Sequence, residues 1–225
     1  MTTSSSGGPA QPLGAIERLA ATRALFILRG LGEDAVLAAA SAIERAGFSH
    51  LEITSDSPGM PRLLERLHDH APRLVLGAGT VLDIVTADGA IDAGAQFLVS
   101  PQTDAALIAH TVARGAASLP GAFTPTEILT AHRAGATAVK LFPGPMAGPD
   151  GLRDIRGPFP FIRFVPTGSI TLDAIPAWLD AGALAVGIGR RLLLGVTAEQ
   201  GRVDEGAIAR FLETLASVTS RRAPR

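Results

Sequence analysis

From residue 24 onward, short apolar runs alternate with longer stretches in which apolar residues recur every third or fourth position. The runs fall at residues 24–28, 50–54, 74–77, 97–100, 117–119, 138–142, 162–165 and 184–188. The stretches between them carry helical spacing, as at Ala35, Leu37, Ala38, Ala42 and Ile43, or at Leu107, Ile108 and Val112. Gly47, Gly94, Gly115, Gly135 and Gly182 each close such a stretch, at the place where a left-handed backbone stops a helix. Strands that are largely apolar and alternate with helices predict a parallel sheet, covered by helices and joined by right-handed crossovers. Eight such units in 225 residues predict a single-domain α/β fold, the (β/α)8 TIM barrel. An open doubly wound sheet is the alternative, disfavoured because no Gly-x-Gly-x-x-Gly turn follows the first run.

The ends of the chain read differently. Residues 1–13 are polar and rich in Ser, Gly and Pro, and are expected to form a tail. The barrel is expected over 14–219, followed by a short basic tail at 220–225. No stretch approaches the roughly 20 apolar residues of a membrane span, and no basic, then apolar, leader opens the chain. With a net charge of −1, no bulk positive field points to nucleic acid or to a membrane surface. The expectation is a cytoplasmic protein acting on a small molecule. The absence of cysteine excludes disulfides, thiolate metal sites and cysteine nucleophiles.

One count changes the picture. Of the 20 basic residues, 19 are arginine and a single one, Lys140, is lysine. Arginine keeps its proton, whereas a buried lysine loses its own readily and becomes a nucleophile. Lys140 lies inside an apolar run, where burial disfavours the ammonium. It is therefore a candidate imine-forming lysine, with an ion pair to Glu52 as the alternative. Alternation along 50–54 puts His50, Glu52 and Thr54 on one face, so Glu52 can share the barrel interior with Lys140 and move protons there.

In a barrel of this kind the chemistry sits where the strands end. Arg29 ends the first run, and its planar fork suits a carboxylate, although a capping or surface role is equally open. Thr80 follows Gly77-Ala78-Gly79, glycines that would let a substrate approach the backbone. Gly168 and Ser169 after the seventh run, with Gly189 and Arg190 after the eighth, form a candidate phosphate cradle; ordinary tight turns are the alternative. The histidines show no metal-ligand spacing: His68 and His70 diverge on a helix, while His110 and His132 read as solvated. No metal is expected.

The segments Leu51-Glu52-Ile53-Thr54, Gly77-Ala78-Gly79-Thr80-Val81, Val99-Ser100-Pro101, Pro120-Gly121, Val139-Lys140-Leu141-Phe142-Pro143 and Phe164-Val165-Pro166-Thr167-Gly168 resemble, in order and spacing, the 2-keto-3-deoxy-6-phosphogluconate (KDPG) / 4-hydroxy-2-oxoglutarate (KHG) aldolase family, class I aldolases of the Entner–Doudoroff type. The resemblance implies a (β/α)8 barrel assembled as a homotrimer and needing no cofactor. It implies that Lys140 forms the imine and Glu52 is the general acid/base. It further implies that Arg29 and Thr80 hold the pyruvyl carboxylate, that Phe142 walls the pocket, and that Pro101, Gly121 and Thr167 line it. The implied reaction cleaves a 2-keto-3-deoxy sugar-acid phosphate to pyruvate and glyceraldehyde 3-phosphate, or 4-hydroxy-2-oxoglutarate to pyruvate and glyoxylate.

The chain departs from the family pattern at several positions. Some members carry arginine where this chain has Asp56, the family's usual Thr-Gly-Gly reads Thr167-Gly168-Ser169, and Arg190 stands where serine is common. Ile27-Leu28-Arg29-Gly30 and Ser57-Pro58 are similar to the galactonate-series aldolases, whereas Thr167 matches the gluconate series. A non-covalent isomerase or synthase using Glu52, and a non-catalytic sugar-phosphate-binding barrel, are the competing functions.

Overall fold

The structure, a computed structural model, describes residues 12–189, 196–197, 202–203 and 205–220. A helix, α1 (Pro12–Thr22), leads into β1 (Ala24–Leu28), and strands and helices then alternate: α2 (Glu33–Arg45), β2 (His50–Thr54), α3 (Met60–His70), β3 (Val75–Gly79), α4 (Ile84–Asp92), β4 (Phe97–Val99), α5 (Ala105–Ala113) and β5 (Ala117–Leu119). The second half comprises β6 (Gly121–Ala122), α6 (Pro125–Arg133), β7 (Lys140–Leu141), α7 (Gly144–Arg156), α8 (Ile175–Asp180), β8 (Val186–Ile188), a small hairpin of β9 (Val196–Thr197) and β10 (Arg202–Val203), and α9 (Glu205–Thr219). The glycines that close α2, α4, α5, α6 and α8 have φ between 83° and 99°, the left-handed backbone expected after a helix.

Six strands pair in parallel in the order β5-β4-β3-β2-β1-β8. The ring is completed by β6 and β7 and by residues 163–167. The Lys140 amide donates to Pro120 C=O at 2.9 Å, Val139 N–H to Arg163 C=O at 2.8 Å, Leu184 N–H to Phe164 C=O at 2.8 Å and Gly187 N–H to Pro166 C=O at 2.9 Å. The fold is therefore a TIM barrel. The seventh stave differs from the strand expected at 162–165, since it holds only one ladder bridge, Val139 with Phe164. Pro158 and Pro160 precede it and Pro166 interrupts it, and a proline has no N–H for a ladder. The sixth stave is likewise shorter than the expected 138–142, and the third runs on to Gly79.

Two apolar clusters follow the two-residue period of the strands. Phe26, Leu28, Leu51, Ile53, Leu76, Ala78, Val139 and Leu141 face the helices. Leu25, Val75, Phe97, Val99, Ala117, Leu119, Ala138, Val165 and Ala185 fill the interior. The second cluster also contains Ala15, Ile16 and Leu19 of α1. This helix is an element that the strand–helix grammar did not predict, and Pro12 opens it within the expected tail; residues 1–11 lie outside those described. Ile16 and Leu19 are almost fully buried, worth roughly 1.5–3 kcal/mol each relative to exposure. Ser49 fastens the helix, donating to Arg18 C=O at 3.1 Å and meeting Thr22 Oγ1 at 2.9 Å. The interior is thus stoppered at the N-terminal ends of its strands.

Candidate active site

Interior positions nearer the other end of the barrel carry the polar residues. Alternation along β2 turns His50, Glu52 and Thr54 inward, and all three are buried. Lys140 enters from β7, whose short pairing with β6 sets it in register with Gly121. The Lys140 side chain reaches over the Phe142 ring, with Nζ 4.9 Å from its centroid. Among the described residues no ion pair joins Lys140 to Glu52, and Glu52 Oε2 is buried without a hydrogen-bond partner. An orphaned carboxylate oxygen beside a buried amine is costly as a structural ornament and useful as a proton donor or acceptor.

Burial moves both groups toward their neutral forms. Loss of solvent raises Glu52 above the usual carboxyl range, against the opposing pull of the Lys140 and Arg29 charges. Loss of solvent also lowers Lys140, aided by Arg29 and opposed by Glu52. In its neutral form the Lys140 amine is a nucleophile, and in its neutral form the Glu52 carboxyl is an acid.

Small residues make the room. A side chain at Gly79 would collide with the Glu52 carboxyl, and one at Gly77 with the Phe97 ring. The space beside these glycines, expected to admit substrate, is filled by Glu52 and Phe97. Gly121 abuts the Pro101 carbonyl and Gly187 lies under the Thr167 hydroxyl, so each of these contacts also requires the missing side chain. Thr167 is buried and its hydroxyl donates to Val165 C=O at 3.2 Å.

Arg29 stands just past β1, half exposed, and uses two arms: Nη1 reaches Asp56 Oδ2 at 2.6 Å and Nη2 reaches Thr80 Oγ1 at 2.7 Å. Thr80 adopts a positive φ of 57°, unusual outside glycine, and its carbonyl accepts from Ser55 Oγ at 2.7 Å. Lys140, Glu52, Phe142, Arg29 and Thr80 are therefore gathered around one end of the barrel. Of the candidate phosphate residues, Gly168 has φ 142°, Ser169 is exposed and Gly189 is half-buried. Arg190 lies outside the described residues.

Sequence reasoning missed the part played by Ser55, Asp56 and Ser57; the polar turn directly after β2 was the available signal. His110, expected to be solvated, is half-buried, and its Nε2 meets Asp88 Oδ1 at 2.8 Å. His70 contacts Ser41 Oγ at 2.7 Å, and the exposed His132 ring lies tilted against Phe161 with centroids 5.0 Å apart. Among the described residues no cluster of three potential metal ligands occurs, and no helix is long and apolar enough to cross a membrane.

The chain is similar to known proteins over most of its length. The model of the KDPG and KHG aldolase family matches residues 16–207. The chain is 35% identical over 189 residues to the 2-dehydro-3-deoxy-phosphogluconate aldolase of Pseudomonas aeruginosa, covering 80% of this chain and 86% of that one. It is 34% identical over 170 residues to the 2-dehydro-3-deoxy-6-phosphogalactonate aldolase of Escherichia coli K12, covering 75% and 83%. Among solved structures, a KDPG aldolase from Legionella pneumophila, with pyruvate captured as a covalent carbinolamine intermediate, superposes with a TM-score of 0.78 at 25% identity, covering 94% of this chain and 99% of that one.

Proposed function

The chain belongs to the KDPG and KHG aldolase family, and from that premise we propose that it cleaves a 2-keto-3-deoxy sugar-acid phosphate to pyruvate and an aldehyde through an imine on Lys140. The observation that carries this reading is the burial of the chain's one lysine near a buried glutamate whose Oε2 has no hydrogen-bond partner. The Lys140 amine attacks the C2 ketone, and the Glu52 carboxyl protonates the carbinolamine hydroxyl, which leaves as water. The Glu52 carboxylate left by that step takes the C4 hydroxyl proton, the C3–C4 bond breaks, and its electron pair flows into the iminium, giving an enamine and releasing the aldehyde. Protonation at C3 and hydrolysis return pyruvate and the free amine. Arg29 and Thr80 would take the carboxylate, while Phe142, Pro101 and Gly121 would wall the pocket. The backbone at Gly168, Ser169 and Gly189 would face the phosphate.

The gluconate-series substrate, which gives glyceraldehyde 3-phosphate, is favoured by Thr167, the position at which the chain resembles that series. The galactonate-series epimer is the second reading, favoured by Arg29 at the end of β1. Comparing kcat/KM for the two epimers decides between them. We also propose a homotrimer, supported by the exposure of Leu82 (55%), Ile84 (41%) and Val85 (81%) on either side of Asp83, the residue that caps α4.

Borohydride reduction in the presence of pyruvate, followed by peptide mass analysis, tests the central claim. A reduced pyruvate adduct on Lys140 is the expected result. Folded protein that yields no adduct would return the isomerase and binding-protein readings to the front.

A further inference from the structure

Three consecutive side chains after β2 each grip a different neighbour. Ser55 Oγ donates to Thr80 C=O at 2.7 Å, Asp56 Oδ2 accepts from Arg29 Nη1 at 2.6 Å, and Ser57 Oγ accepts from Gly30 N–H at 3.1 Å. One short turn thus ties the loop after β1 to the loop after β3. Arg29 then bridges the same two loops a second time through Thr80 Oγ1.

We infer that Asp56 is a positioning residue, which with Ser55 holds Arg29 and Thr80 in one fixed arrangement for the substrate's carboxylate. The inference rests on the aldolase reading above. The Arg29 and Asp56 side chains are 49% and 51% exposed, and an ion pair so open to water contributes little to stability. Its geometry is more informative. Arg29 has long, flexible torsions, and anchoring Nη1 on Asp56 brings Nη2 onto Thr80. Two of the guanidinium's donors are engaged in this way and the others stay open. The Thr80 hydroxyl, accepting from Arg29, keeps its own proton to donate. Thr80 is meanwhile held at its positive φ by Ser55, so both ends of the clamp depend on the same turn. A carboxylate meeting this arrangement finds preset donors and does not have to order a mobile arginine.

The test measures the pyruvate concentration that half-saturates borohydride trapping on Lys140, in the full chain and in D56A, D56N and S55A. D56A is expected to raise it roughly tenfold, while the extent of trapping at saturation stays near that of the parent. D56N retains an oxygen that accepts from Arg29 and is expected to recover most of the loss. S55A frees the Thr80 carbonyl and is expected to raise half-saturation as well; it carries the test should D56A not fold. Half-saturation in D56A at or below the parent value overturns the inference, as does D56N behaving no better than D56A, or, where D56A is unfolded, an unchanged S55A. No adduct in the parent protein removes the aldolase reading and this inference with it. An adduct in the parent with unchanged variants removes the inference alone.

Discussion

The Glu52 carboxyl occupies the space in which a side chain on Gly79 would stand. The two residues are on neighbouring parallel strands, with Thr54 rather than Glu52 directly opposite Gly79, so the glutamate leans along its strand toward the barrel mouth. Gly79 thereby fixes where the Glu52 carboxyl sits. Gly79→Ala is expected to keep the barrel and displace the carboxyl. Its kcat for pyruvate release should fall by about 10²-fold or more, the usual contribution of a positioned acid or base. Steady-state kinetics alongside a circular dichroism melt separate this from unfolding.

The charge on Arg29 makes the Lys140 ammonium less favourable, adding to the effect of burial. Replacing Arg29 with Met should therefore shift the titration of Lys140 to higher pH. Modification by a small amine-directed reagent requires the free amine, and Lys140 is the chain's one lysine, so peptide mass analysis reads this site directly. The rise of labelling with pH should begin later in the variant than in the parent.

His50 lies buried in the interior beneath Glu52, against the Phe97 ring at 5.5 Å, with Nδ1 2.7 Å from Ser49 Oγ. Burial, assisted by the Arg18 charge, lowers its pKa from 6.5 to about 3. The unfolded chain thus takes up this proton first as pH falls, and the native state loses stability below about 6.5. By pH 5 the loss from this group should be about 2 kcal/mol. Urea midpoints of the parent and His50→Gln, followed from pH 7 to pH 5, should show the shallower decline in the variant.

The apolar stretch at Leu82, Ile84 and Val85 gives a direct handle on assembly. Val85 is the most exposed of the three, so Val85→Glu should place a charge on the proposed contact without disturbing the core. Sedimentation velocity is expected to show a trimer for the parent and smaller species for the variant. A monomeric parent would remove the trimer proposal.

The barrel was readable wherever apolar runs were cleanly bounded. The strands at residues 24–28, 50–54 and 117–119 match β1, β2 and β5 to the residue, and the last two directly follow helices closed by Gly47 and Gly115. The seventh stave was less legible, since prolines remove ladder donors while leaving the apolar pattern intact. The helix α1 was missed because only Ala15, Ile16 and Leu19 signal its buried face, and they directly follow a polar stretch. Lys140 and Glu52 stood out through composition and alternation, both local signals. The Asp56–Arg29 pair did not, because those residues are 27 apart in sequence and meet only once two strand ends lie side by side.

The stopper formed by α1 bears on the order of events. Ala15, Ile16 and Leu19 seal one end of the interior with apolar side chains, which leaves traffic to the opposite rim. In a vessel with one opening, the fragment bonded to the floor waits for the fragment above it to depart. Under the proposed reaction the aldehyde is that upper fragment. Its exit clears the path by which water reaches the iminium formed once the enamine is protonated, and the pyruvate half, last to be freed, leaves by the door through which it came.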